Sequence, residues 1–169
     1  VEALKQAITL NPKLAYAHNN MGNALSDLGE LDSALQSYHR ALAIEPSFAE
    51  AYGNMANALG EAGQKAEAIA NYQRAIDIRP DFAEAYNNLS KLITFQATDP
   101  ILAAMQQRLA APDLTEHDAM HLNFAVGKAF DDMNQVDEAF RHLHRGNQLR
   151  KRLLNYDSSN DKAGFGHIK

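Results

Sequence analysis

The chain has no cysteine, which excludes disulfides and thiolate metal sites. No apolar run reaches the eighteen or so residues that a membrane-crossing helix needs. A surplus of basic residues is also missing. At a formal net charge of −5, neither nucleic acid nor an anionic membrane is expected as the main partner. No glycine-rich phosphate loop of the GxxxxGK[ST] or GxGxxG type occurs, and the seven histidines have no paired nucleophile and no HExxH. His117 and His121 stand four apart but lack a third ligand, and they read as a solvated helix start after Thr115. Asn88-Leu89-Ser90 fits a glycosylation sequon but falls inside a helical pattern, and it reads as chance. The expectation is therefore no enzyme, no cofactor and no metal. With no basic-then-apolar leader and a pattern that begins in mid-unit, the chain reads as a cytoplasmic piece of a longer polypeptide.

What is present is repetition. "HNNMGNAL" (His18 to Leu25) returns as "YGNMANAL" 34 residues later and again, altered, as "YNNLSKLI" (Tyr86 to Ile93). Aligning Ala15–Phe48 with Ala49–Phe82 gives 15 identities in 34 positions without a gap. Within each unit, apolar residues recur at helical spacing in two runs separated by Gly29 or Gly63, at the left-handed position that ends a helix at least cost. Pro46 and Pro80 close the units, and Ser47-x-x-Glu50 and Asp81-x-x-Glu84 read as capping boxes for the next helix. Helix, tight turn, helix and proline together make a helical hairpin.

The pattern His18, Met21-Gly22, Leu25, Ala34, Tyr38, Ala41, Pro46, repeated as Tyr52, Met55-Ala56, Leu59, Ala68, Tyr72, Ala75, Pro80, resembles the tetratricopeptide repeat family. Small residues at the eighth and twentieth positions let paired helices approach, and bulky ones fill the groove between them. The implied fold is all-α: a right-handed α-solenoid of stacked helix-turn-helix units. Residues 1–14 read as the second helix of a truncated repeat, and 15–48 and 49–82 as full repeats. Residues 83–119 read as a degenerate helical pair whose first helix runs from Ala83 to Phe95, and 120–153 as a repeat-like unit with Asn134 in the turn slot. Residues 154–169 read as a tail or linker. Exposed terminal helices would make a homo-oligomer possible.

Asparagine is a poor helix former because its amide competes for backbone bonds, so its recurrence asks for a reason. Numbering each unit from Ala15, Ala49 and Ala83, positions 2, 6, 9 and 13 share one helix face, beside the core positions 7, 10, 11 and 14. That face carries Tyr16, Asn20, Asn23 and Asp27, then Glu50, Asn54, Asn57 and Glu61, then Glu84, Asn88, Lys91 and Phe95. An amide offers a donor and an acceptor together, which suits the backbone of an extended peptide. The resemblance implies that this wall takes peptide partners, and Asn20, Asn54 and Asn88 match an asparagine ladder known in the repeat domain of O-linked N-acetylglucosamine transferase. The alternative is that the amides bond across the stack and set its pitch. The acidic residues of the face make a basic partner expected over an acidic one. A carboxylate clamp would need several cations, and Lys91 alone is available in these three units.

The last unit contains Phe124-Ala125, Gly127-Lys128-Ala129, Asp131-Asp132, Asp137 to Phe140, Gly146-Asn147, Leu149-Arg150 and Tyr156-Asp157. These blocks resemble the segment that joins repeats to the catalytic domain in bacterial tetratricopeptide-containing sulfotransferases. The resemblance implies an accessory, substrate-orienting role for this chain beside a catalytic domain that it lacks. Arg141, Arg145, Arg150, Lys151 and Arg152 cluster in the last helix. They read as cations favoured by a helix C-terminus, with a docking surface for an acidic partner as the alternative.

Overall fold

The computed structural model describes residues 1–154, so the expected tail lies almost wholly outside the described residues. The described chain is helical and divides into two compact units that meet in sequence at Thr94 and Phe95. Unit one holds α1 (Glu2–Leu10), α2 (Ala15–Asp27), α3 (Leu31–Ile44), α4 (Ala49–Glu61), α5 (Lys65–Ile78) and α6 (Ala83–Ser90). Unit two holds α7 (Pro100–Leu109), α8 (Glu116–Asp132) and α9 (Val136–Leu153).

In unit one α2 packs on α3 and α4 on α5 as antiparallel hairpins, and α3 packs in turn on α4, forming an α-solenoid. The helices approach closely because their facing positions are small: Ala34, Ala41, Ala68 and Ala75 are fully buried. Tyr38, Met55 and Leu59 fill the remaining space, with Leu31, Leu35 and Leu42 of α3 closing over them. The turns follow the sequence. Gly29 and Gly63 both have φ of 77°, and Asn134 reaches 56° in the α8–α9 turn. In each turn the next residue's N–H bonds back to the helix: Glu30 to Leu25 O, Gln64 to Leu59 O and Gln135 to Phe130 O, at 2.8–2.9 Å. Asn11, Glu45 and Arg79 leave the helical region at the ends of their helices, each with ψ of 89°, as expected of a residue that precedes a proline.

Three expectations need correction. The capping boxes do not form: α4 and α6 start one residue later, with Phe48 and Phe82 at the N-cap and no side-chain bond there. The proline turn swings Phe48 inward, and burying that ring outweighs a solvated serine cap. The first helix of the 83–119 segment stops at Ser90 and does not run to Phe95. Phe95 is buried in unit two, where its N–H bonds Asp132 Oδ2 at 3.0 Å, so the expected pair is divided between the units. Leu28, at core position 14, caps α2 in an exposed position. Thr115 does cap α8, accepting from the Asp118 N–H at 3.0 Å.

In unit two α8 and α9 form a long hairpin, with α7 against α8. A methyl on Gly127 would stand 2.8 Å from Leu143 Cγ, and one on Gly146 would stand 3.0 Å from Phe124 Cε1. These glycines set the approach of the two helices. Asp132 bridges the Lys128 ammonium and the Phe95 amide. Burial pushes its carboxyl up, but those two donors outweigh burial and hold it below the usual carboxylate range. No helix of the described residues is long and apolar enough to cross a membrane.

Candidate functional site

Helices α2, α4 and α6 lie side by side in unit one, joined by side-chain amides rather than by apolar contact alone. Asn54 Nδ2 on α4 donates to Asn19 Oδ1 on α2 at 3.1 Å, and Asn88 Nδ2 on α6 donates to Asn57 Oδ1 on α4 at 3.2 Å. The ninth-position asparagines are also tied to the second helices. The Tyr38 hydroxyl donates to Asn23 Oδ1 at 2.8 Å, and the Tyr72 hydroxyl donates to Asn57 Oδ1. Both tyrosines are buried, and each phenol is pushed up to about 12, so each remains a donor at neutral pH. For Tyr38 burial is the main cause, followed by the carboxylates of Asp27 and Glu61. For Tyr72 burial again leads and Glu84 follows, with Asn88 opposing and Glu61 adding.

The remaining residues of the predicted face divide by exposure. Tyr16 is 60% exposed, its ring tilted against Phe48 with centroids 4.5 Å apart. Asn20 is exposed and has no partner among the described residues, unlike its repeat-mates Asn54 and Asn88. Asp27, Glu61 and Glu84 are exposed. Glu50 is half-buried and bonded to Arg79, whose guanidinium also stacks 3.6 Å from the centre of the Phe82 ring. Lys91 follows the last turn of α6 and donates to Asn88 Oδ1 at 2.9 Å. Phe95 belongs to unit two and is not part of this face.

Chemically, the face is a row of pre-oriented amides under an acidic edge. An amide can donate twice and accept twice. Asn54 uses one donor on its neighbour and Asn88 one donor and one acceptor, so capacity is left at both. Sequence reasoning did not single out Asn19, Tyr38, Tyr72 or Arg79 for this face. A signal existed for the tyrosines, since each lies 15 residues after the asparagine it bonds, in both repeats.

A separate hollow of about 520 Å³ opens between α1, α2 and α3, lined by Lys5, Ile8, His18, Met21 and Arg40 among others. In unit two the His142 ring stacks on Phe130, and its Nδ1 meets Asn123 Oδ1 at 3.0 Å. Asn123 Nδ2 already donates to the Ala119 carbonyl at 2.7 Å, so His142 Nδ1 carries the proton of the pair. Burial, and after it the Arg141 charge, hold the imidazole below its ordinary value. His117 and His121 lie edge to face, with ring centroids 4.7 Å apart.

Family models for the tetratricopeptide repeat match residues 15–48 and 38–70, and a TPR repeat model matches 57–92. The chain therefore carries tetratricopeptide repeats over residues 15–92. A search of curated proteins returned no match. Among solved structures the chain is similar to MamA, at 20% identity over 92% of this chain and 89% of that one, with a TM-score of 0.65. It is also similar to YrrB, described as a TPR protein with an unusual peptide-binding site, at 21% identity over 87% and 74%, with a TM-score of 0.65. A Thermobaculum terrenum O-GlcNAc transferase mutant aligns at 23% identity over 64% of this chain and 21% of that one, with a TM-score of 0.55. At these identities the likeness establishes the fold.

Proposed function

We propose that this chain of tetratricopeptide repeats is a protein-binding scaffold that holds an extended, basic segment along the face of α2, α4 and α6. The observation that carries the reading is the charge imbalance over an ordered amide row. Asp27, Glu61 and Glu84 are exposed along the face, Glu50 is already neutralised by Arg79, and Lys91 is the cation on the stripe. The amides supply sequence-independent backbone bonds, and the carboxylates favour lysine or arginine side chains. Tyr16 adds an exposed aromatic at one end. The peptide-binding site named for YrrB supports the same use of a tetratricopeptide array.

The test is titration calorimetry with two extended peptides of equal length, one lysine-rich and one glutamate-rich. The lysine-rich peptide is expected to bind, and Asp27→Lys with Glu61→Lys is expected to remove that binding with the helical signal unchanged. Equal binding of both peptides, or no effect of the double charge reversal, overturns the proposal.

Two further readings have narrower support. The sequence blocks of the last unit favour a role beside a sulfotransferase domain, and a phosphate-cradling loop in the same polypeptide would test it. The helix α1, which buries no residue and leaves Leu10 exposed, favours self-association, which sedimentation at rising concentration would test.

A further inference from the structure

Helix α9 leaves open a face that its counterpart in unit one keeps covered. Superimposing Ala139 on Ala34 in the repeat register puts Val136, Phe140, Leu143 and Asn147 at the positions of Leu31, Leu35, Tyr38 and Leu42. In unit one Leu31, Leu35 and Leu42 are half-buried against a cluster that includes Met55 and Leu59 of α4. On α9, Val136 is 70% exposed, Phe140 68% and Leu143 36%. The spacing 136, 140, 143, 147, 150/151, 154 keeps one helical stripe throughout. Along it three apolar side chains lead to an amide, then to Arg150 and Lys151, then to exposed Leu154.

We propose that this stripe docks an amphipathic helix with an acidic first turn, supplied by a partner. The helix follows from the chain itself, since the same register positions of α3 are covered by a helix, α4. The acidity follows from charge complementarity. A helix lying antiparallel to α9, as α4 lies on α3, brings its N-terminus to the Arg150 and Lys151 end. Carboxylates in that first turn are favoured both by those cations and by the partner's own helix dipole. Helices α4 and α6 have this composition, with Glu50 and Glu84 in their first turns. Arg141 bonds Glu138, and Arg152 bonds Glu116 on α8 at 2.6 Å. The second pair keeps the end of α9 on its hairpin and leaves Arg150 exposed beside the apolar row. The stripe differs in sign from the asparagine face of unit one, so the two surfaces call for opposite partners.

The test uses the full 169-residue chain and two synthetic, helix-favouring peptides of about four turns, following the length of natural helices. Both carry leucines at three- and four-residue spacing; one has glutamates in its first turn and the other has lysines there. Fluorescence anisotropy should show the glutamate peptide binding at least tenfold more tightly. Val136→Glu with Phe140→Glu should abolish binding, and Arg150→Glu with Lys151→Glu should reverse the preference. All four side chains are exposed, so the helical signal should persist, and circular dichroism checks it. Equal affinity for the two peptides, or binding unaffected by the Val136/Phe140 change, overturns the proposal. It is also overturned if sedimentation shows the chain pairing with a second copy through these residues, or if they are needed for binding anionic vesicles while neither peptide binds.

Discussion

Substituting Gly22 by alanine tests how the first hairpin is built. A methyl at Gly22 would stand 2.4–2.8 Å from three ring carbons of Tyr38, well inside carbon–carbon contact. Tyr38 is 1% exposed and its hydroxyl is bonded to Asn23, so the ring cannot swing aside without losing that bond. Overpacking of this kind costs about 1–3 kcal/mol, and loss of the phenol bond adds about 1 kcal/mol. Alanine's better helix propensity returns about 1 kcal/mol. Ala56 holds the same position opposite Tyr72, so the hairpin accepts a methyl once its helices spread, which favours the lower end of that range. The net loss is about 1–2 kcal/mol, or about 3–6 °C in Tm for a chain of this size. Gly60 supplies the control. It is exposed near the end of α4, and a methyl there would meet nothing within 4 Å. Gly60→Ala should therefore leave stability unchanged or raise it by up to about 1 kcal/mol through helix propensity. Thermal unfolding followed by circular dichroism decides between them. A Gly22→Ala protein as stable as the parent, or a Gly60→Ala protein that loses more, would refute the reasoning.

Two other outcomes follow from the side-chain geometry. Asn54→Ala removes the bond to Asn19 and should cost about 1 kcal/mol in urea unfolding, whereas Asn20→Ala should be neutral to within about 0.5 kcal/mol. Equal losses would mean that Asn20 is also structural. His142 titrates below its ordinary value in the folded chain, so between about pH 6.5 and the folded value the unfolded state binds more protons. Its contribution is complete above about pH 6.5, and stability should fall as pH drops through that window. His142→Gln should flatten the decline, and an unchanged pH profile would count against the buried imidazole as its source.

The repeat was legible because its anchors are fixed in register. Alanine at positions 20 and 27, tyrosine at 24 and glycine or asparagine in the turn each do one packing task. Asn134 shows how far this reaches, since it takes the left-handed turn in a unit that has lost most other matches. What the sequence left hidden depends on a third dimension. The capping boxes were plausible locally, but the proline turn brings Phe48 to the N-cap, and a buried ring is worth more than one exposed bond. The early end of α6 depends on Phe95 joining a different unit, through an Asp132 that lies 37 residues on. The stripe puts Asn20, Asn23, Asn54 and Asn57 at positions that share one helix face by spacing alone. It could not show that Asn54 reaches Asn19 and Asn88 reaches Asn57, because such pairs join neighbouring helices at separations with no helical meaning.

Those bonds change the choice between a structural and a binding role for the amides. A rung held by its neighbour has already lost rotamer freedom, and fixing a loose side chain on binding costs about 0.5–1.5 kcal/mol. Structural ties therefore lower the cost of binding at the capacity that remains. Tyr38→Phe separates the two effects, since it frees Asn23 without removing any group that a ligand would touch. If the ties pre-orient the face, the lysine-rich peptide should bind Tyr38→Phe about two- to tenfold more weakly, as immobilising one side chain predicts. Stability should fall by about 1 kcal/mol at the same time. A variant that loses this stability yet binds with unchanged affinity would leave the amides as girders of the stack, and binding would then rest on Asp27, Glu61 and Glu84.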